Sequence, residues 1–210
     1  MAPSDLAQIA KQLVAADKGI LAADESDPTI AKRFSSMSIE NTEENRRAYR
    51  DMLFSTPDLE KYISGVILFD ETIRQSSADG TTFPELLSSR GVIPGIKVDK
   101  GAKPLANAPG ETITEGLDGL RERLQEYRGL GARFAKWRAT YSIGPELPSE
   151  YCVWTNAHAL ARYAALCQEQ GLVPIVEPEV LMDADNDIAT CYDATSRTLH
   201  AVFHELYHQK

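Results

Sequence analysis

The chain has 210 residues, 43% of them hydrophobic and 25% charged, with 31 acidic against 22 basic residues and a net charge of −9. This is the composition of a soluble globular protein, and its length predicts a single domain over residues 1–210. The acidic balance, with no basic run and no basic-aromatic stripe, argues against a nucleic-acid partner.

Three cysteines, Cys152, Cys167 and Cys191, with no CxxC spacing, read as reduced thiols rather than a disulfide framework or a zinc site. Asp5, Lys11, Asp17 and Lys18 interrupt the N-terminal stretch, so it does not read as a signal peptide. No apolar run approaches the length of a membrane span. A cytoplasmic location without membrane attachment is the expectation.

Ser4 is placed to cap a first helix in which Leu6, Ile9, Ala10, Leu13 and Val14 fall at helical spacing. Lys18 and Gly19 end it, and Ile20 to Ala23 reads as a short buried strand. Asp27-Pro28 sets a capping residue before a proline at the first helical position. A helix from about Thr42 to Phe54 follows, with Glu43 and Glu44 in its positive first turn. The second strand is Gly65 to Phe69 and the third, Gly95 to Asp99, holds Lys97. A Gly/Pro-rich connection over 101–110 leads to a helix with Leu117, Leu120, Leu124 and Tyr127 on one side. Gly129 and Gly131 stop it before a fourth strand, Phe134 to Arg138. Pro145, Pro148 and Ser149 precede a long helix reaching Gly171. A fifth strand, Val173 to Val180, and a last amphipathic helix, Asp187 to Gln209, complete the pattern.

Alternation of strand and helix predicts a parallel α/β architecture. The strands recur at a mean pitch of about 38 residues; eight of them, as in a β/α barrel, would need on the order of 300 residues. The expected fold is therefore an incomplete (β/α)8 TIM barrel with about five of eight strands, and with apolar sheet edges left open.

Three of these strands carry charges two positions apart: Lys97 and Asp99, Lys136 and Arg138, Glu177 and Glu179. Residues i and i+2 of a strand point to the same face. Charges withdrawn from water are costly unless they serve each other or a ligand. Structural ion pairs would satisfy that condition, but three pairs on successive strands point to a mixed-sign site able to bind an anion and move protons. His200, His204 and His208 share a helix face and could ligate a metal. No carboxylate or cysteine pattern supports them, so a solvated face is the simpler reading and no metal is expected. Neither a GxGxxG nor a P-loop occurs. Cys152 and Cys167 share a helix with Ala157, Leu160, Ala161 and Ala164 and read as packing.

Gly19-Ile-Leu-Ala-Ala-Asp24-Glu25-Ser26 resembles the first strand of the class I fructose-bisphosphate aldolases. So do Asn41-Thr-Glu-Glu-Asn-Arg-Arg47, Gly65-Val-Ile-Leu-Phe69, Gly95-Ile-Lys-Val-Asp-Lys-Gly101, Phe134-Ala-Lys-Trp-Arg138 and Val173-Pro-Ile-Val-Glu-Pro-Glu179. The resemblance runs over essentially the whole chain and matches the N-terminal part, roughly three fifths, of the family's length.

It implies reversible cleavage of fructose 1,6-bisphosphate to dihydroxyacetone phosphate and glyceraldehyde 3-phosphate, through a lysine imine and with no cofactor. By resemblance, Asp24 handles the hydroxyl proton during carbon–carbon cleavage, its alternative role being a helix cap. Lys136 stabilises developing charge, and Glu177 is the acid/base for forming and breaking the imine. Glu179 supports the site's lysine electrostatically, and Lys97 and Arg138 hold the anionic substrate. Thr29 keeps a hydroxyl where the family has Ser-Thr-Gly-Ser, although Asp27-Pro28 stiffens that turn.

The family's imine-forming lysine sits on a sixth strand, in a Leu-Lys-Pro-Asn block that has no counterpart here, and the later serine/glycine loop and arginine for a phosphate are likewise unmatched. Lys210 reads as a solvated helix end, not a relocated nucleophile. The expectation is a chain inactive alone, with a sugar phosphate as ligand and a homo-oligomer or a full-length subunit as partner. The alternative is a non-catalytic truncated paralogue that binds sugar phosphates or full-length subunits.

Overall fold

The computed structural model describes residues 3–209, with side chains from Asp5 on; the expected cap hydroxyl of Ser4, and Lys210, lie outside the described residues. In chain order the elements are α1 (Pro3–Leu13), β1 (Gly19–Ala23), α2 (Asp27–Ser36), α3 (Glu43–Phe54), α4 (Leu59–Tyr62), β2 (Ile63–Leu68), α5 (Asp70–Ile73), α6 (Phe83–Ser89) and β3 (Ile93–Lys97). There follow β4 (Ala102–Pro104), β5 (Thr112–Thr114), α7 (Leu120–Gly129), β6 (Phe134–Tyr141), α8 (Glu150–Glu169), β7 (Val173–Val180) and α9 (Ile188–Gln209).

Five strands form one sheet in the order β1-β2-β3-β6-β7, and β1–β2 and β2–β3 pair in parallel. This is the α/β class expected, with the strand succession of a β/α barrel carried through five strands. The chain divides into two compact units. One comprises the chain up to Lys97 with Gln125–Ala135 and Gly171–Val173; the other comprises Val98–Leu124, Lys136–Gln170 and the chain from Pro174 on.

In the first unit, Val66, Leu68, Ile73 and Ile96 are buried with Phe54 and Phe83, whose rings meet edge to face at 5.1 Å. The backbone of β3 comes so close to Phe134 that a Cβ on Gly95 would stand 2.3 Å from its ring. Only glycine fits there. In the second unit, Trp137, Tyr141, Leu160 and Tyr163 are wholly buried, and the rings of Trp137 and Tyr163 are 5.4 Å apart. Small buried residues, Ala157, Ala161 and Ala164 on α8 and Ala194 and Ala201 on α9, let those two helices pack.

Several local expectations are corrected. The cap of α2 is Ser26, not Asp27: the Ser26 carbonyl accepts from the Thr29 and Ile30 amides at 2.9 Å each, and Asp27 already lies in the helix. Pro28 fits because a first-turn amide has no intrahelical acceptor. The third strand ends at Lys97, so Asp99 lies beyond it. The Gly/Pro-rich connection over 101–110 holds β4, which pairs antiparallel with β5 just beyond it, and α6 is an added helix. Its Thr82-Phe-Pro-Glu85 run is a capping box in which the Glu85 amide donates to the Thr82 hydroxyl and Glu85 accepts from the Thr82 amide.

Burial also differs at the two ends of the sheet. Of β1 only Ala23 is buried, and none of the eight residues of β7 is. The apolar run of β1 predicts a buried strand, and that of β7 reads the same way. Each is terminal in the sheet and lacks a neighbour on one side, which a closed barrel would supply.

Candidate active site

Asp24 follows β1 directly and is 9% exposed. It does not cap α2, since Ser26 holds that position. Beside it, Glu25 forms ion pairs with Arg50, at 2.9 Å, and with Arg33. Arg50 is 2% exposed. Burial pulls its guanidinium below the usual arginine range, while Glu25, and more weakly Asp24, sustain the charge. Arg46, one turn earlier on α3, makes a two-pronged contact with Glu71 at 2.8 and 2.6 Å. Sequence reading passed over Arg46 and Arg50. Their signal was the four-residue spacing in Asn45-Arg-Arg-Ala-Tyr-Arg50, which puts both on one helix face. Thr29 is exposed, its hydroxyl 3.3 Å from that of Ser26. Lys97 closes β3, half-buried.

In the second unit the alternation of neighbouring strands sets two cations against two carboxylates. Lys136 and Arg138 stand two apart on β6, Glu177 and Glu179 two apart on β7. Lys136 Nζ lies 3.5 Å from Glu177 Oε2, and Arg138 Nε donates to Glu179 Oε2. The Lys136 side chain is 12% exposed and that of Glu177 34%. Burial raises the Glu177 carboxyl above the usual carboxylate range, and Lys136 opposes the rise without cancelling it. Arg138 is held still more firmly charged by Glu179.

Asp99 behaves otherwise. Its carboxylate accepts from the Gly101 amide at 3.0 Å and from the Arg138 amide at 3.4 Å, so it braces backbone beyond the strand it was assigned to. Of the three expected same-face pairs, two face each other as matched cation–carboxylate contacts.

Two of the cysteines, Cys152 and Cys167, are buried. Burial pushes the Cys152 thiol up to about 11 and that of Cys167 further, which leaves both un-ionised packing groups. No group of three or more metal-ligating side chains occurs among the described residues. None of the described helices is long and apolar enough to cross a membrane.

A parallel strand–helix succession with a lysine, an arginine and two carboxylates facing one another on adjacent strands defines a barrel-type α/β protein with a polar cluster of mixed charge. The family model for class I fructose-bisphosphate aldolase matches residues 5–210. A probable class 1 fructose-bisphosphate aldolase of Xanthomonas campestris is 65% identical over 209 residues, covering 100% of this chain and 63% of that protein. The cytosolic fructose-bisphosphate aldolase 6 of Arabidopsis thaliana is 57% identical over 90% of this chain and 53% of its own length. Among solved structures, a Plasmodium falciparum fructose-bisphosphate aldolase, crystallised with TRAP and a small-molecule inhibitor, superimposes with a TM-score of 0.95 at 49% identity, over 97% of this chain and 59% of that one. The chain belongs to the class I fructose-bisphosphate aldolase family, and it spans less than two thirds of the length of these relatives.

Proposed function

We propose that this chain supplies the acid/base and charge-stabilising part of a class I fructose-bisphosphate aldolase site, and that catalysis requires the rest of the family's length, in cis or from another chain. The observation that carries this reading is the Lys136–Glu177 contact of 3.5 Å, with Glu177 raised toward neutrality by burial.

Retro-aldol cleavage needs a base for the proton of the reacting hydroxyl and an electron sink at the carbonyl, which a lysine imine provides. Asp24, buried at a strand end and not used as a cap, takes the hydroxyl proton as the carbon–carbon bond breaks and its electron pair passes to the sink. Lys136 stabilises the negative charge that develops. Glu177 gives and takes the protons that form and break the imine, a task suited to a carboxyl whose pKa lies above the ordinary range. Glu179 fixes Arg138, and Arg138, Lys97 and Thr29 hold the anionic substrate, fructose 1,6-bisphosphate. The family's imine lysine belongs to a block that residues 1–210 do not match. A cytosolic setting is in keeping with the Arabidopsis relatives' names.

The test is fructose 1,6-bisphosphate cleavage by this chain and by a version extended with the C-terminal remainder of the Xanthomonas relative. Cleavage by the extended chain, lost in its Lys136→Ala variant, is the expected result. An extended, folded chain without activity would sink the proposal.

A second reading is favoured by the solvent-facing side of α9. Ile188, Tyr192, Phe203 and Tyr207 are 88, 75, 67 and 74% exposed, and the edge strand β7 is half-buried throughout. Under it the chain is a non-catalytic paralogue that associates with a full-length aldolase subunit through these surfaces. Co-purification with a full-length relative and no cleavage in any extended form would favour it.

A further inference from the structure

The aldol reading leaves unused the row of imidazoles on α9. His200, His204 and His208 follow at four-residue intervals and all three are exposed, so they share the solvent side of the helix. Spacing makes them neighbours; ring geometry separates a ligand pair from a mere row. The His200 and His204 centroids are 6.5 Å apart, whereas those of His204 and His208 are 4.5 Å apart with the ring planes at 62°.

An imidazole nitrogen binds a first-row divalent cation at about 2.0–2.1 Å, which puts each ring centroid about 3.2 Å from the ion. Two ligands at a right angle then have centroids about 4.5 Å apart. The His204–His208 pair already has that separation, and the His200–His204 pair does not. The His204 ring is also set edge to face against Trp154 at 5.3 Å, which limits its rotation. The fourth histidine is engaged elsewhere, His158 Nδ1 lying 2.9 Å from Glu205 Oε2.

We propose that His204 and His208 form a two-imidazole surface site for a nitrogen-preferring divalent cation of the Ni²⁺, Cu²⁺ and Zn²⁺ class. No third protein ligand stands beside them among the described residues, so water completes the coordination. Mg²⁺ and Ca²⁺, which prefer oxygen ligands, are excluded by the donor set. The site takes no part in the aldol step and stands whether or not that reading does.

Trp154 is a built-in reporter. It is 36% exposed and touches His204, whereas Trp137, the other tryptophan, is wholly buried. Ni²⁺ titrated into the 210-residue chain is expected to quench tryptophan fluorescence saturably and reversibly with EDTA, and Mg²⁺ to leave it unchanged. His204→Ala and His208→Ala should each weaken the apparent affinity at least about tenfold, since each removes the chelating partner. His200→Ala should retain parental affinity within about twofold. Equilibrium dialysis should count one Ni²⁺ per parent chain. Dialysis showing no bound Ni²⁺, or His204→Ala and His208→Ala variants that bind as the parent does, would overturn the site. All three positions are exposed, and circular dichroism of the variants checks that the fold is retained.

Discussion

At the scale of single residues, the chemistry turns on which charges are kept out of water and what each one faces. Glu177 is the informative case, because its folded carboxyl is raised by burial. The folded state therefore prefers it protonated. Its contribution to stability is fully present below the unfolded carboxyl range and is lost as pH rises through the folded pKa. Glu177→Gln removes that loss, so the variant should melt higher than the parent at pH 7 and together with it near pH 4; equal melting at both pH values would contradict the burial argument. Arg50 is the reverse case, a buried cation whose carboxylate partner must stay. Arg50→Met leaves the largely buried Glu25 to the more exposed Arg33 and should cost up to about 3 kcal/mol in denaturant unfolding, and adding Glu25→Gln should recover much of it. The cation–carboxylate pairs of β6 and β7 were legible from the period-two alternation of charge in the sequence. Arg50 was not, because a helical arginine ordinarily faces solvent, and only the tertiary fold brings Glu25 to it.

At the scale of elements, strand order and the principal helices could be read from hydrophobic periodicity and from glycine and proline punctuation. The antiparallel pair β4–β5 escaped because three-residue strands in a Gly/Pro-rich run leave no periodic signal. The added helix α6 did leave one, the Thr82–Glu85 capping box, ahead of only seven helical residues. Burial of β1 and β7 was misjudged because a run of apolar residues reads the same in a central strand as at a sheet edge. The approach of β3 to Phe134 gives the element-scale test. Gly95→Ala drives a methyl group into the ring and should cost about 2 kcal/mol, as overpacked cores do. Phe134→Leu in the same chain should relieve part of that cost, and additive losses in the double variant would refute the clash.

For the whole molecule, the exposed apolar residues of α9 and the half-buried edge strand β7 leave a surface that monomeric proteins rarely display. The purified 210-residue chain should bind ANS and run larger than a monomer on size exclusion, more so at higher concentration. A monomer free of ANS binding would show that these faces need no partner. On the proposed reading, the family's full length adds the imine-forming lysine, and this would separate a catalytic part from a catalyst. The most direct test is borohydride trapping with dihydroxyacetone phosphate, read by intact mass and peptide mapping, on this chain beside its extended form. A reduced adduct on the extended chain, at a lysine outside residues 1–210, with none on the shorter chain, is the expected result. An adduct on Lys136 or Lys97 of the 210-residue chain would contradict it, since that lysine would then be a nucleophile and not a charge stabiliser or a substrate anchor.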